Sequence, residues 1–175
     1  AQDSIPIPNT YEEALASPWA KQWKEAMDAE IKALMENGTW DYVKRSDLPK
    51  NSNVAKGRWV FAVKYNRDGT VERFKARYVV KGFSQIQGVD YDRNFSATMK
   101  ACSFRCITAL AAQHNLCLEH CDISNAFTQT AIDKDLFVEC PRGYEQDDNV
   151  LHLLKALYGT MQASRLFQLE MRKRL

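Results

Sequence analysis

Apolar residues recur at helical spacing through Trp19, Trp23, Met27, Ile31 and Leu34 or Met35, with charged residues between them. That periodicity predicts an amphipathic helix packed on a core. Ser17-Pro18 reads as its start, an N-cap followed by proline at the first helical position. Asn37-Gly38 reads as its end, with Gly38 suited to a left-handed cap. Upstream, Pro6 and Pro8 mark an extended lead-in, and Thr10 with Glu13 has the form of a capping box for a short helical turn through Leu15. Thr39 to Val43 reads as a short strand and Asp47 to Asn53 as a polar loop.

The period then changes. Arg58 to Asn66 and Thr70 to Lys81 are β-rich runs joined through Asp68-Gly69, a two-residue hairpin signal. Pairing Arg67 with Thr70 sets Trp59 opposite Tyr78, Phe61 opposite Ala76 and Val63 opposite Phe74. On the other face Lys64 meets Arg73, and Ala62 and Val60 meet Lys75 and Arg77. Strand parity therefore sorts the hairpin into an aromatic face and a cationic face. Between Val54 and Gly82 the basic residues are Lys56, Arg58, Lys64, Arg67, Arg73, Lys75, Arg77 and Lys81, against Asp68 and Glu72 alone.

A loop containing Gly82 and Gly88 follows, then a helix from about Ser103 to His114 (Phe104, Ile107, Leu110, Ala111) closed by Asn115. Leu116 to Ile123 alternates as a strand that delivers Asp122 at its end. Ser124 to Ala131 reads as a short helical or turn segment, Leu136 to Cys140 as a strand stopped by Pro141, and Val150 to Leu157 as a strand or extended run. From Gln162 onward the pattern is helical. Helices and antiparallel strands interleave without strict βαβ alternation, so the expected class is α+β.

Composition narrows the function classes. Of 175 residues, 45% are hydrophobic and 26% charged, enough apolar side chain for a core and far from a disordered composition. Net charge is only +2 and pI about 8.3, so a nucleic-acid role has to rest on the local clustering in the hairpin. No run of residues is long and apolar enough for a membrane span, so no membrane partner is expected. Ala1-Gln2-Asp3-Ser4 lacks the basic and apolar regions of a signal peptide. With no initiating Met, and a last stretch (Phe167 to Leu175) that is basic and helical, the chain is expected to be a piece of something longer. Five cysteines without scaffold spacing suit a reducing compartment. His114, Cys117, His120 and Cys121 invite a zinc reading, with Cys102 and Cys106 one helical turn apart as further donors. Strand alternation, however, separates Cys117 and Cys121 from His120 and Asp122, and free cysteines more often serve as small buried hydrophobes.

Pro18-Trp19-Ala20, Trp23, Ala26-Met27, Glu30-Ile31 and Asn37-Gly38-Thr39-Trp40 resemble the opening of copia-type retrotransposon reverse transcriptases. Trp59-Val60-Phe61, Asp68-Gly69-Thr70-Val71, Lys75-Ala76-Arg77 and Lys81-Gly82-Phe83 continue the resemblance. Cys121-Asp122-Ile123-Ser124-Asn125-Ala126-Phe127 is similar to that family's motif A. Pro141-Arg142-Gly143-Tyr144, Leu157-Tyr158-Gly159 and Gln162-Ala163-Ser164-Arg165 are similar to the segments after it. The resemblance is ordered and runs from about Tyr11 to the last residue, over roughly the first two-thirds of the family's polymerase domain.

The resemblance implies one partial domain over 1–175, with a lead-in over 1–17, fingers over about 18–100 and a partial palm over about 101–175. It implies an RNA-directed DNA polymerase that adds deoxynucleoside triphosphates to a DNA primer on an RNA template with Mg²⁺ (or Mn²⁺), inside a polyprotein with integrase and RNase H. The expected location is a cytoplasmic retrotransposon particle, with the nucleus as the alternative. Asp122 would be the catalytic, metal-binding carboxylate, and the Ile123 carbonyl would serve the same ion. Lys75, Arg77, Asn125, Ala126, Phe127, Gly159 and Gln162 would meet the incoming nucleotide, Phe127 as the steric gate under the sugar. Arg58, Lys64, Arg73 and Lys81 would meet nucleic acid.

Some positions depart from the family's pattern. Thr128 and Thr130 stand where Leu and Gly are usual, and Thr160, Met161, Ser164 and Phe167 where Leu, Lys, Pro and Trp are. The family's downstream aspartate pair lies beyond this sequence, and Asp147-Asp148 sits in a polar loop that makes it no substitute. A catalytically inactive nucleic-acid-binding relic is therefore the alternative reading, and a pure interaction module the third.

Overall fold

The computed structural model describes residues 5–119, 122–123 and 125–174. Helix α1 (Tyr11–Ala16) is capped by Thr10, whose hydroxyl accepts the Glu13 amide at 3.1 Å. The Glu13 carboxylate reaches back to the Asn9 amide (2.7 Å), one residue upstream of a reciprocal box. Helix α2 (Ala20–Glu36) begins later than Ser17-Pro18 suggested. Ser17 does not cap it: its hydroxyl donates to the Ala14 carbonyl at 2.8 Å and closes α1 instead. Two helices so close in sequence compete for one side chain, and the C-terminus of the first takes it.

At its other end α2 closes as expected. Gly38 has φ +60°, its amide donates to Met35 (2.9 Å), and the Thr39 amide donates to Leu34 (3.0 Å). This is the double bond of a Schellman cap. Trp23, Met27, Ile31 and Leu34 are buried, Trp19 packs at the rim, and Met35 is half exposed.

Strand β1 (Trp40–Lys44) leads to β2 (Val54–Ala55) and to the hairpin strands β3 (Gly57–Tyr65) and β4 (Val71–Val80). The expected cross-strand pairs are all present, from Trp59 with Tyr78 to Lys64 with Arg73. The turn is not the two-residue loop expected. The Asn66 amide donates to Thr70 (2.9 Å) and the Gly69 amide to Asn66 (3.0 Å), so Arg67-Asp68-Gly69 form a three-residue loop with Gly69 at φ +84°. That loop shifts the pairing by one. Glu72, which the pairing passes over between Arg73–Lys64 and Val71–Tyr65, shifts it back. The two irregularities cancel, and the faces come out as parity demanded.

Helix α3 (Ala101–Gln113) precedes β5 (Phe137–Glu139), β6 (Asn149–Leu153) and α4 (Ala163–Arg174). A four-stranded sheet runs β1-β6-β5-β2, antiparallel except for β2 beside β5. Helix α2 joins this sheet to the aromatic face of the hairpin. Trp23 meets Phe61 and Phe74 edge-on, with ring centroids 5.2 and 4.6 Å apart, and Leu136, Val138, Leu151 and Leu153 complete the core. The arrangement is α+β, as expected.

The strand predicted over Leu116 to Ile123 is not seen: 116–119 and 122–123 belong to no strand, and His120 and Cys121 lie outside the described residues, as does Ser124. Alternation makes a strand only where a neighbouring edge takes up its amides and carbonyls. Helix α3 is likewise little covered. Ala111 is its one buried residue, while Phe104, Ile107 and Leu110 are about half exposed.

Candidate functional site

The cationic face of the hairpin is built by parity alone. Lys64, Arg73 and Arg77 are exposed and Lys75 is half-buried. Among the described residues Arg73 has one loose ion pair, with Glu72 at 3.7 Å. Burial lowers the Lys75 ammonium below its usual range, with the charges of Arg77 and Arg73 adding and Glu30 opposing. Half-buried Glu30 of α2 reaches the outer edge of β4, where it accepts the Tyr78 amide at 3.4 Å. Its carboxyl is raised, burial outweighing that bond and the charges of Arg77 and Lys75. Glu30 acts on Lys75 and Arg77 and Glu72 pairs loosely with Arg73, so the four cations outnumber the two carboxylates and leave a surface suited to a polyanion.

Arg58 and Lys81 lie at the hairpin's base, lining a cleft of about 700 Å³ with Arg45, Arg142, Glu12 and Asp148. Charge there is mixed: Arg142 pairs with Glu12 (3.1 Å) and Arg45 with Asp148 (3.8 Å). The Asp147-Asp148 pair is therefore part of this loop-lined cleft.

The motif-A segment makes a tight turn. Asp122 and Ile123 are exposed, Asn125 takes a left-handed conformation (φ 52°), and Ala126–Gln129 form one 3₁₀ turn. Among the described residues neither the Asn125 nor the Ala126 amide donates to a backbone or side-chain acceptor. Half-buried Phe127 is packed edge-on against Tyr158 (centroids 5.3 Å) and Phe167 (6.2 Å). On the hairpin side, the Arg77 guanidinium lies 5.0 Å from the Tyr158 ring centroid. Burial raises the Tyr158 phenol, opposed by Arg77 and assisted by the carboxylates of Glu30 and Asp122. Arg77 and Phe127 thus both meet one tyrosine, Tyr158, which was not among the expected site residues although it stands next to Gly159.

Gly159 is held against β4. At φ +86°, a Cβ there would meet the Val80 carbonyl oxygen at 2.1 Å and Val79 Cγ1 at 2.6 Å. Gln162 is fully buried. Its amide donates to the Asp90 carbonyl (2.9 Å) and accepts from Gln85 (3.1 Å), while Gln85 Oε1 accepts the Met161 amide (2.7 Å). This network engages the Gln162 side chain internally. Gln85 and Asp90 lie in a loop with no periodic signal, and nothing in the sequence pointed to them.

Of Thr128, Thr130, Thr160 and Phe167, four of the six departures from the family pattern, three are accommodated locally. The Thr128 and Thr160 hydroxyls donate to the carbonyls three residues back, Asn125 (3.0 Å) and Leu157 (2.9 Å), and Phe167 supplies a ring to Phe127 in place of Trp. Thr130 is the exception: its buried hydroxyl has no hydrogen-bond partner among the described residues. Thr130→Val removes that group without changing shape and is expected to raise stability by about 1 kcal/mol, read as an increased urea midpoint at unchanged m. An unchanged or lower midpoint would show that the hydroxyl has a partner.

Residues 37–175 match the family described as reverse transcriptase (RNA-dependent DNA polymerase), and the chain belongs to that family. Its relatives include Pol polyproteins of copia-type transposons. It is 37% identical over 158 residues to the Retrovirus-related Pol polyprotein from transposon RE1 of Arabidopsis thaliana, covering 89% of this chain and 11% of that one. It is 38% identical over 161 residues to that from transposon TNT 1-94 of Nicotiana tabacum (90% and 12%). A Truncated transposon Ty1-A Gag-Pol polyprotein of Saccharomyces cerevisiae is 32% identical over 149 residues (82% and 12%). The chain thus spans about a tenth of the polyproteins it matches. No solved structure matches it.

Proposed function

We propose that this chain is the fingers (about 18–100) and partial palm (about 101–175) of a copia-type RNA-directed DNA polymerase working from a cytoplasmic retrotransposon particle. The observation that carries this reading is the contact of both Arg77 and Phe127 with Tyr158, which brings the cationic strand to the turn that follows Asp122. In this reading Lys75 and Arg77 hold the triphosphate of an incoming deoxynucleotide and offset charge on the departing pyrophosphate. The Asn125 and Ala126 amides donate to the same phosphates. Phe127 closes the space a 2′-hydroxyl would need. Lys64 and Arg73 on the hairpin, with Arg58 and Lys81 at its base, contact the phosphates of template and primer. Gln162, internally bonded, secures the strip that includes Gly159.

Asp122 and the Ile123 carbonyl are hard oxygen donors on an exposed segment and fit magnesium in kind. They do not complete its coordination: among the described residues no group of three or more His, Cys, Asp or Glu could hold an ion. The remaining carboxylates would come from the polyprotein's further palm, which would also cover the apolar face of α3. When bound, the metal pair supplies alignment and charge neutralisation for in-line phosphoryl transfer.

Primer extension on RNA and DNA templates by the polymerase-length protein tests the reading. Failure to extend either, with nucleic-acid binding retained, would favour the relic. Lys64→Gln and Arg73→Gln are each expected to flatten the dependence of log K on log salt by ~0.7–0.9, the share of one phosphate contact. Unchanged slopes would remove nucleic acid from the hairpin face.

A further inference from the structure

Tyr158 lies at the proposed nucleotide site, and the reading above gives its side chain no role of its own. Its backbone is fixed from several directions. The Val80 amide of β4 donates to its carbonyl at 2.8 Å. The next residue, Gly159, lies so close to the Val80 carbonyl that no Cβ fits. Two residues further on, the Met161 amide is held by Gln85 at 2.7 Å, and Gln162 is bonded to Gln85 and Asp90. A strip secured in this way fixes the backbone of a residue whose ring meets two groups from different parts of the fold. The Arg77 guanidinium of the hairpin lies over the ring, 5.0 Å from its centroid, and the Phe127 ring meets it in a T-shaped pair at 5.3 Å and 72°. Phe127 is backed in turn by Phe167 of α4 at 90°.

We infer that Tyr158 is a specificity-determining positioning residue, its ring setting the place of the Phe127 gate and of the Arg77 guanidinium together. The inference rests on reading Phe127 as the sugar gate and Arg77 as a triphosphate contact. An edge-to-face partner restricts where the Phe127 ring can tilt, so the space left beneath the sugar depends on Tyr158. The same ring attracts the guanidinium and orders a long side chain that would otherwise sample many rotamers. The phenol oxygen has no part in this role; the aromatic ring does.

The test compares Tyr158→Phe and Tyr158→Leu in the polymerase-length protein, with Phe127→Ala as control. The readout is equilibrium binding of dATP and of ATP to the complex with template and primer, which needs no turnover. Tyr158→Phe should behave as the parent. Tyr158→Leu should weaken dATP binding and reduce the preference for dATP over ATP, each by roughly three- to tenfold, the scale of one lost aromatic or cation–π contact. A purely structural role would weaken both nucleotides alike and leave the preference unchanged. Should Tyr158→Leu melt early, Tyr158→Met, which fills the space without a ring, takes its place. If Phe127→Ala loses the preference and neither ring-deleting variant does, the inference is overturned while the gate reading stands. If Phe127→Ala keeps the preference as well, the gate reading itself is wrong and the inference falls with it.

Discussion

Asp122→Asn in the polymerase-length protein should abolish primer extension, by about a thousandfold or more, while leaving the fold intact. The size follows from replacing an anionic metal ligand by a neutral amide, which forfeits several kcal/mol of charge stabilisation at about 1.4 kcal/mol per factor of ten. The intact fold follows from position: Asp122 is exposed and has no ion pair among the described residues, so its stability change should stay within about 0.5 kcal/mol. Extension and thermal melting, measured on the same preparation, check both halves. Near-normal extension would remove Asp122 from the chemistry, and an early melt would mean that its carboxylate serves the fold.

Gly159→Ala is expected to destabilise the chain by roughly 2–5 kcal/mol, combining left-handed strain with overlap against the Val80 carbonyl. The added Cβ would lie 2.1 Å from that oxygen, and backbone cannot swing aside as a flexible side chain would. Gly38→Ala is the matched control. Gly38 is also left-handed, at φ +60°, but has no atom within 4 Å of a built Cβ, so its cost should be only about 1 kcal/mol. Urea unfolding of the two variants separates strain from contact. Equal losses would show that the strip does not press on β4 as described. The resemblance placed Gly159 beneath the nucleotide; the structure adds a packing reason for glycine at that position.

How much of this was legible in the sequence depended on whether a segment's own pattern or a distant partner decides its state. Helix α2 was legible because Trp23, Met27, Ile31 and Leu34 repeat on one face and Asn37-Gly38 ends them. Its start was misread because Ser17 is used by α1, a choice that spacing does not reveal. The hairpin faces followed from parity, although the loop and the Glu72 irregularity that cancel one another left no trace in the pattern. Strand β2, two residues long and parallel to β5, is too short to alternate. Leu116 to Ile123 alternates yet forms no described strand, since pairing needs a neighbour.

The candidate site divided in the same way. Lys75, Arg77 and Phe127 were singled out by motif and parity, and Arg77 and Phe127 both contact Tyr158. Arg58 and Lys81 belong to the same cationic run in sequence but open onto a mixed-charge cleft at the hairpin's base. Gln162 matched the family motif, while its burial depends on Gln85 and Asp90, more than seventy residues earlier in the chain. Contacts of that range leave no periodic signature.

The most direct test of the central claim is a structure of the polymerase-length protein with template, primer, a deoxynucleoside triphosphate and magnesium. Asp122 is expected as a direct ligand of the ion, with Arg77 on the triphosphate and Phe127 under the sugar. An ion held entirely by other groups, with Asp122 turned to solvent, would contradict it.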